Sequence, residues 1–442
     1  MNYDFDLIIA GGGPTGIAAG VAAGRLGARV LVIERYGFLG GMSTAALVNP
    51  WLTFHNRQGK QVVAGIAQEI VDRLMDLNAC TGHLRDTVGF VYSVTAFDPE
   101  VLKYVAQEML TEAGVRLLLH SFIVEARMQG EAVQSVLVRN KSGEQEYSAR
   151  YFIDCTGDGD LAAVAGAPFE KGRRPDGATQ PMTMNFRVGG VDLAPVVKYI
   201  RENPQEFHPQ TTFDHLEPLT GVSGFFTLWR EANLPIPRDR LLFFAGVRKG
   251  EVNVNTSRIV GKDGTNVFDL TDAEMEGKRQ VKMIVDFLRA KIPGFENCYL
   301  LALPTQIGLR ETRRILGDYQ LTGEDVLHGR RFDDGIARSA YPIDIHNPTD
   351  TGLTFMGAPD DAYDIPYRCL LPQKVENLWV AGRCFSATHE GHSSARLTIT
   401  CMSMGQAAGT AAAMALEQRC RPRDVDVASL QDKLRNQRSI VD

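Results

Sequence analysis

The first forty residues constrain this chain more than any other stretch. Asp6-Leu7-Ile8-Ile9-Ala10 is a short apolar run ending in Gly11-Gly12-Gly13-Pro14-Thr15-Gly16. Small residues with a helix-like pattern follow from Ile17 to Leu26, and Gly27 and Ala28 turn the chain. Arg29-Val30-Leu31-Val32-Ile33 is a second apolar run, closed by Glu34. Strand, glycine loop, helix, strand and acid, in that order, form the βαβ unit of a dinucleotide site. In such a unit Gly11 serves the tight turn and Gly13 lets the main chain approach a pyrophosphate. Gly16 lets the helix lie close to the strand. The helix N-terminus offers unpaired N–H groups and the positive end of its dipole to the phosphates. Glu34 stands where it can accept hydrogen bonds from a ribose diol. A glycine motif alone is weak evidence; one bracketed by two strand-like runs and followed by the acid is strong.

At 442 residues the chain is long enough for two or three domains. Its 44% hydrophobic and 23% charged content suits a globular enzyme. The net charge of −6 argues against an extended nucleic-acid or anionic-membrane surface. No stretch reaches the roughly 18 uninterrupted apolar residues of a membrane span. The acidic start, Met1 to Asp6, runs straight into the first strand and lacks the pattern of a signal peptide. Seven cysteines, an odd number with no CxxC pair, give no support to an iron–sulfur, zinc or thioredoxin-type site. The expectation is a reduced, cytoplasmic protein with no metal.

Further along, Asp98-Pro99-Glu100 opens a helix with an N-cap and a proline in its first turn, and Gly114 stops it after Ala113. Val115 to His120 reads as a strand. Three more strand-like runs lie near 121–128, 132–139 and 145–153, with polar turns between them. The last runs into Thr156-Gly157-Asp158-Gly159-Asp160, and a helix begins at Leu161. From about 166 to 240 prolines become frequent and periodicity fades, which reads as a loop-rich insertion or cap. Leu270 to Ala290 is helical, 299–321 reads as extended strands carrying arginines, and the stretch to about 372 as loop-rich. Asn377-Leu378-Trp379-Val380-Ala381-Gly382 is again strand into glycine turn, and 403–418 is an alanine-rich helix. The expected class is α/β: a nucleotide-binding domain with a parallel sheet and β-meander, from 1–165 and 373–442, and an inserted mixed α+β substrate domain, 166–372.

The GGGPTG loop, the Glu34…Gly40-Gly41 segment, the Thr156–Asp160 turn and the terminal VAGR…GQAAG stretch together resemble one group. The chain is similar to the FAD-dependent oxidoreductase family of the glutathione-reductase-like flavoproteins, over most of its length. The resemblance implies FAD as cofactor and a Rossmann-like fold. It implies that Gly11, Gly13, Pro14, Thr15 and Gly16 hold the pyrophosphate, and that Glu34, with Arg35 beside it, holds the adenosine ribose. Gly40, Gly41, Met42 and Ser43 would line the ribityl and isoalloxazine side. The main chain near Ile123 would contact adenine, and Thr156 and Gly157 would cross back near the AMP half. Gly382 and Arg383 stand where the superfamily often places an acid on the ribityl chain. Arg383 departs from that pattern, which leaves the pyrophosphate as its other contact. A helix starting near Ser403 would aim its positive end at the flavin N1–C2=O edge. Some relatives attach FAD through a histidine before the double glycine. Residues 35–39, Arg-Tyr-Gly-Phe-Leu, contain none, so noncovalent FAD is expected.

Three clusters are candidates for the chemistry beside the flavin. Leu309-Arg310-Glu311-Thr312-Arg313-Arg314 reads as strand, with Arg310, Thr312 and Arg314 on one face. Arg310 is the candidate clamp for a substrate carboxylate. The stretch from Thr388 to Arg396 holds His389 and His392, candidates for proton transfer; structural hydrogen bonding is the bland alternative, and a metal reading lacks a third ligand. Tyr341-Pro342-Ile343-Asp344-Ile345-His346 is a third polar cluster. The expected activity is hydride transfer between a small polar or anionic molecule and flavin N5. The alternatives are a tRNA-modifying flavoprotein, disfavoured by the acidic balance, and a non-catalytic FAD-binding assembly or sensor subunit. No second GxGxxG unit is present for NAD(P)H. O₂ or a redox partner stays open as the closing reactant, as does a homo-oligomer; no nucleic acid or membrane partner is expected.

Overall fold

The computed structural model describes residues 3–349 and 351–442. Its central sheet has seven strands. Arg116–Leu118, Val30–Ile33, Phe5–Ala10 and the end of Gly143–Asp154 run parallel, in that spatial order. Leu7 faces Val30 on one side and Tyr151 on the other. The long strand Gly143–Asp154 forks. Its first half pairs antiparallel with Ala132–Asn140, which pairs in turn with Phe122–Gln129. Its last residues pair parallel with Leu378–Val380 as well as with Phe5–Ala10. The chain's C-terminal region thus completes a sheet that its N-terminal region begins. The inner parallel strands Phe5–Ala10 and Val30–Ile33 read as apolar runs because they are buried on both faces, with Leu7, Ile8 and Ile9 fully buried, whereas the edge strand Arg116–Leu118 is not.

Two helices cover this sheet with almost no side chain between them. Pro14–Arg25 lies against Thr398–Gln418, and a Cβ on Gly405 would come within 2.2 Å of the Thr15 carbonyl oxygen. Gly409 meets the Ala19 carbonyl at the same separation, 2.2 Å. The alanine-rich C-terminal helix is therefore small by necessity: any side chain on these glycines drives the helices apart. The Pro99–Glu112 helix has its expected cap, Asp98 accepting from Glu100 N–H at 3.0 Å.

A second, five-stranded antiparallel sheet lies apart in sequence, ordered Gly221–Gly224, Leu241–Ala245, Val252–Val254, Phe186–Gly189, Tyr299–Ala302. It has its own apolar cluster, in which Phe186, Trp229 and Phe243 meet Ile284 and Leu288 from the helix Val267–Lys291.

Several local expectations are corrected. The region 166–240 is loop-rich as expected, but it also contributes two strands to this sheet and the helix Leu193–Glu202; the four-residue strands carry too little alternation to be legible alone. Residues 299–321 hold only Tyr299–Ala302 and Arg313–Ile315 as strands. The stretch before 372 contains paired strands, Gly335–Ser339 with Tyr363–Pro366 and Ile343–His346 with Leu353–Gly357. The last long helix begins at Thr398, five residues ahead of the expected start, without a side-chain cap to announce it. His389–Ala395 is a short helix capped by Thr388. The expected class, a parallel-sheet α/β flavoprotein fold with added antiparallel sheet, holds. Among the described residues no helix is long and apolar enough to cross a membrane.

Candidate functional site

The glycine loop is shaped by three close approaches. Gly11 leaves its strand at φ +94°, and a Cβ there would fall 2.6 Å from the Cys155 carbonyl oxygen. A Cβ on Gly16 would fall 1.9 Å from the Gly11 carbonyl. Gly13 differs: its nearest neighbour is Gly41 Cα at 3.7 Å, so the space beside it is open. The helix that follows begins with Pro14 and has no side-chain cap, which leaves its first-turn amides for an anion. Glu34 is 5% exposed, and its Oε2 accepts from Gly12 N–H at 2.6 Å and its Oε1 from Tyr36 N–H at 2.9 Å. Burial pushes its carboxyl up, and these two amide donors oppose the shift.

A cavity of about 150 Å³ runs along this loop. Gly11, Gly13, Pro14, Thr15, Glu34 and Arg35 line it, joined by Gly41, Met42, Ile123, Thr156, Gly157 and Arg383. The other expected cofactor residues stand behind this wall. Gly16 packs under the loop. Gly40, at φ +106°, donates its N–H to the Gly12 carbonyl at 2.9 Å. Ser43 is fully buried and accepts from Trp51 Nε1 at 3.1 Å. Gly382 stands where a Cβ would meet Thr15 Oγ1 at 2.4 Å. Arg396, Thr398 and Cys401 also line the cavity and were not singled out from sequence. The first turn of the helix Thr398–Gln418 therefore faces the cavity, as the resemblance implied for a helix start a few residues later.

Arg383 is held in place. Its Nη2 donates to Asp158 Oδ1 at 2.6 Å and its Nη1 to Thr312 Oγ1 at 3.1 Å. Burial works to raise the Asp158 carboxyl, but Arg383 and Arg35 outweigh it and hold the group below the usual carboxylate range.

A second cavity of about 200 Å³ opens next to the first and shares Met42, Arg383, Arg396 and Thr398 with it. Arg238, Arg310, Tyr341, Asp344 and His346 line it. Asp344 is 5% exposed; its Oδ2 accepts from Tyr341 Oη at 3.2 Å and lies 3.6 Å from His346 Nε2. Arg258 Nη1 lies 3.4 Å from His346 Nδ1, and a guanidinium only donates. His346 Nδ1 is therefore the acceptor, and Nε2 carries the hydrogen toward Asp344. Burial, reinforced by the surrounding arginines, drives His346 well below the usual histidine range, so the ring is neutral. Burial and Asp344 push the Tyr341 hydroxyl up.

Arg310 reaches this second cavity, donating from Nη1 to Pro181 O at 2.8 Å and Thr183 Oγ1 at 2.5 Å. The expected shared face with Thr312 and Arg314 does not form, because the chain enters strand only at Arg313. Thr312 turns to Asp158, and Arg314 to Glu311 and the Ala387 and Gly172 carbonyls. His389 and His392 line neither of these two cavities. His389 Nδ1 meets Glu311 Oε1 at 3.0 Å, and fully buried His392 donates from Nε2 to the Arg383 carbonyl at 2.8 Å. Burial drives His392 well below the histidine range. Among the described residues no three His, Cys, Asp or Glu gather as a metal site.

Residues 6–434 match the family model described as FAD dependent oxidoreductase. The chain belongs to this family. Its cofactor is FAD and it is an oxidoreductase. The glycine loop, the capless helix and the open space beside Gly13 fit a dinucleotide's pyrophosphate, and Glu34 fits its ribose. No curated protein matches the chain. Among solved structures it is similar to p-nitrophenol 4-monooxygenase from Pseudomonas putida DLL-E4, at 12% identity and TM-score 0.49, covering 98% of this chain and 84% of that one. It is also similar to a geranylgeranyl bacteriochlorophyll reductase-like protein from Thermoplasma acidophilum, at 12% identity and TM-score 0.47, covering 99% and 84%. A flavin-dependent brominase gives 12% identity and TM-score 0.46, covering 98% and 83%.

Proposed function

We propose that this oxidoreductase exchanges a hydride with a small anionic organic molecule seated in the second cavity. One observation carries the reading: a cavity adjoining the nucleotide groove is walled by buried and half-buried guanidiniums and holds a Tyr341–Asp344–His346 cluster. When bound, FAD supplies the two-electron centre at N5. Arg310 orients the substrate by a charge-assisted contact to its anionic group. In the oxidative direction the substrate C–H bond breaks with its electron pair leaving as hydride, and the proton of the adjacent O–H or N–H passes to Asp344. Oδ1 of Asp344 is buried and accepts no hydrogen bond from the described residues, so its lone pairs are the ones unused and left for that proton. Tyr341 and neutral His346 orient Asp344 from its other oxygen. This replaces His389 and His392 as the proton-handling groups, since both are committed to Glu311 and to the main chain of Arg383.

Residues 166–372 supply Arg238, Arg310 and Asp344 to this arrangement, which supports reading them as the substrate-facing insertion between 1–165 and 373–442.

The test is an anaerobic screen of the holoenzyme against small acids and their neutral analogues, following loss of oxidised-flavin absorbance. Reduction by an acid and not by its amide or ester is the expected result. A neutral substrate that reduces the flavin faster than any acid overturns the reading.

A further inference from the structure

Three guanidiniums, Arg238 buried and Arg310 and Arg396 half-buried, line the second cavity without carboxylates of their own. Arg238 comes just before the strand Leu241–Ala245, Arg310 before Arg313–Ile315, and Arg396 ends the helix His389–Ala395. Arg238 is 6% exposed, and neither its Nε nor its Nη2 meets an acceptor. Arg396 makes a 3.4 Å contact from Nη2 to Gln180 Oε1 and leaves its Nε without an acceptor. Arg310 donates only to a carbonyl and a hydroxyl. The other two arginines of this wall are neutralised: Arg240 by Asp239 at 2.8 Å and Arg383 by Asp158 at 2.6 Å.

Against the three stands Asp344. The other carboxylate of the lining, Asp86, is tied to its own loop by the N–H groups of Val88, Phe90 and Val91, with Arg85 as its charged neighbour. Three guanidiniums thus face two carboxylates of the lining, of which only Asp344 acts on all three, so positive charge is in excess. Burial draws Arg238, Arg310 and Arg396 below the usual arginine range, Arg238 to about 10; Arg258 and Arg240 add to the shift at Arg238, and Arg396, Arg238 and Arg258 to that at Arg310. A buried charge without a partner costs stability, and a fold carries such charges where a ligand completes the balance.

Resting on the anionic-substrate reading above, we infer that the cavity is built for a dianionic small molecule, with Arg238 as the residue that selects its second negative charge. Arg310 and Arg396 receive the first. Arg396 lines both cavities and so stands on the nucleotide side, whereas Arg238 lines only the second. The same cavity is also lined by Trp51, Phe90, Leu242 and Phe244, apolar surface that suits a short carbon skeleton linking two charged ends. A dicarboxylate and a phosphomonoester share this chemistry.

The experiment measures binding to the purified holoenzyme by flavin absorbance perturbation and calorimetry at constant ionic strength. The probes are succinate and glutarate, glycerol phosphate, and butyrate as the singly charged comparison. At least one dianion binds about tenfold or more tightly than butyrate, the gain of one charge-assisted contact. The dicarboxylate and phosphate arms tell which source of double charge fits. Arg238→Leu reduces that dianion to butyrate's affinity, leaves butyrate and FAD content unchanged, and melts no lower than wild type, because it removes an unpaired buried charge. Arg238→Lys keeps part of the preference. Equal affinity for butyrate and every dianion overturns the inference alone, whether or not a variant folds. A preference that survives Arg238→Leu also overturns it. Failure of every anion, butyrate included, to bind removes the anionic-substrate reading with it.

Discussion

Arg383 and Asp158 form a buried ion pair, Nη2 to Oδ1 at 2.6 Å, that joins the turn after the last parallel strand to the turn after Gly143–Asp154. Thr312 closes it by bonding both partners. The two turns flank the nucleotide groove, so the pair holds its walls in register. Removing one partner strands a charge. Arg383→Ala or Asp158→Asn should each cost about 3–5 kcal/mol in urea unfolding. The double variant should cost less than the sum. Full additivity would show that the pair contributes no coupling.

Glu311 should give a pH signature. Burial works to raise its carboxyl, but the His389 hydrogen bond, with His392 and Arg314 close by, brings it down to about 2. A carboxyl lowered in the fold contributes stability that is present above its unfolded pKa and disappears as pH falls through the folded one. Glu311→Gln should therefore be less stable than wild type by something on the order of 3 kcal/mol at pH 7. The gap should close between about pH 4.5 and 2. Denaturation curves across that range measure it, and a constant gap would contradict the assignment.

The glycine loop yields opposite outcomes at two positions. A Cβ on Gly13 meets nothing in the protein nearer than Gly41 Cα at 3.7 Å, and Gly13 has an ordinary extended backbone, φ −71°, so Gly13→Val is accommodated at its branch point. This variant should fold with wild-type melting in the apo form and purify colourless, because the branched side chain takes the pyrophosphate's space. Gly16→Ala puts its Cβ into the Gly11 carbonyl and should lower the melting temperature itself. Gly13→Val purified with a full complement of FAD would mean the loop is misassigned.

Heat or acid precipitation should release the flavin into the supernatant as FAD. Neither histidine nor cysteine lies among residues 35–39 to tether it, and Glu34 lies buried beside the loop where an adenosine ribose would sit. Chromatography of the supernatant decides it; FMN, or colour remaining in the pellet, would be the contrary result.

Arg310→Ala and Asp344→Asn should both stay yellow and divide the kinetic constants between them. Loss of Arg310 should raise KM by about 10- to 100-fold, the value of a hydrogen bond to a charged group. Asp344→Asn should chiefly lower kcat and flatten the pH profile, since an amide accepts no proton. If His389→Ala slows turnover while Asp344→Asn does not, the proton role belongs to the histidine segment.

The dinucleotide unit was legible in the sequence because everything it needs is local. Turn glycines, a helix start and an acid closing the second strand lie within one stretch of chain, and each is dictated by sterics or hydrogen bonding that a neighbouring residue satisfies. The parallel sheet was legible for the same reason, since strands buried on both faces must be apolar throughout. The arginine cavity was not. Arg238, Arg310 and Arg396 stand far apart in the chain on three different elements, and their unpaired charge is a property of what surrounds them after folding. Period-2 reading placed Arg310, Thr312 and Arg314 together, but strand pairing begins at Arg313, and the three side chains part. Tertiary packing likewise decided that His389 and His392 bond Glu311 and the Arg383 carbonyl and that Asp344 lines the cavity, because the partners and burial of each titratable group are set by folding, not by residue type.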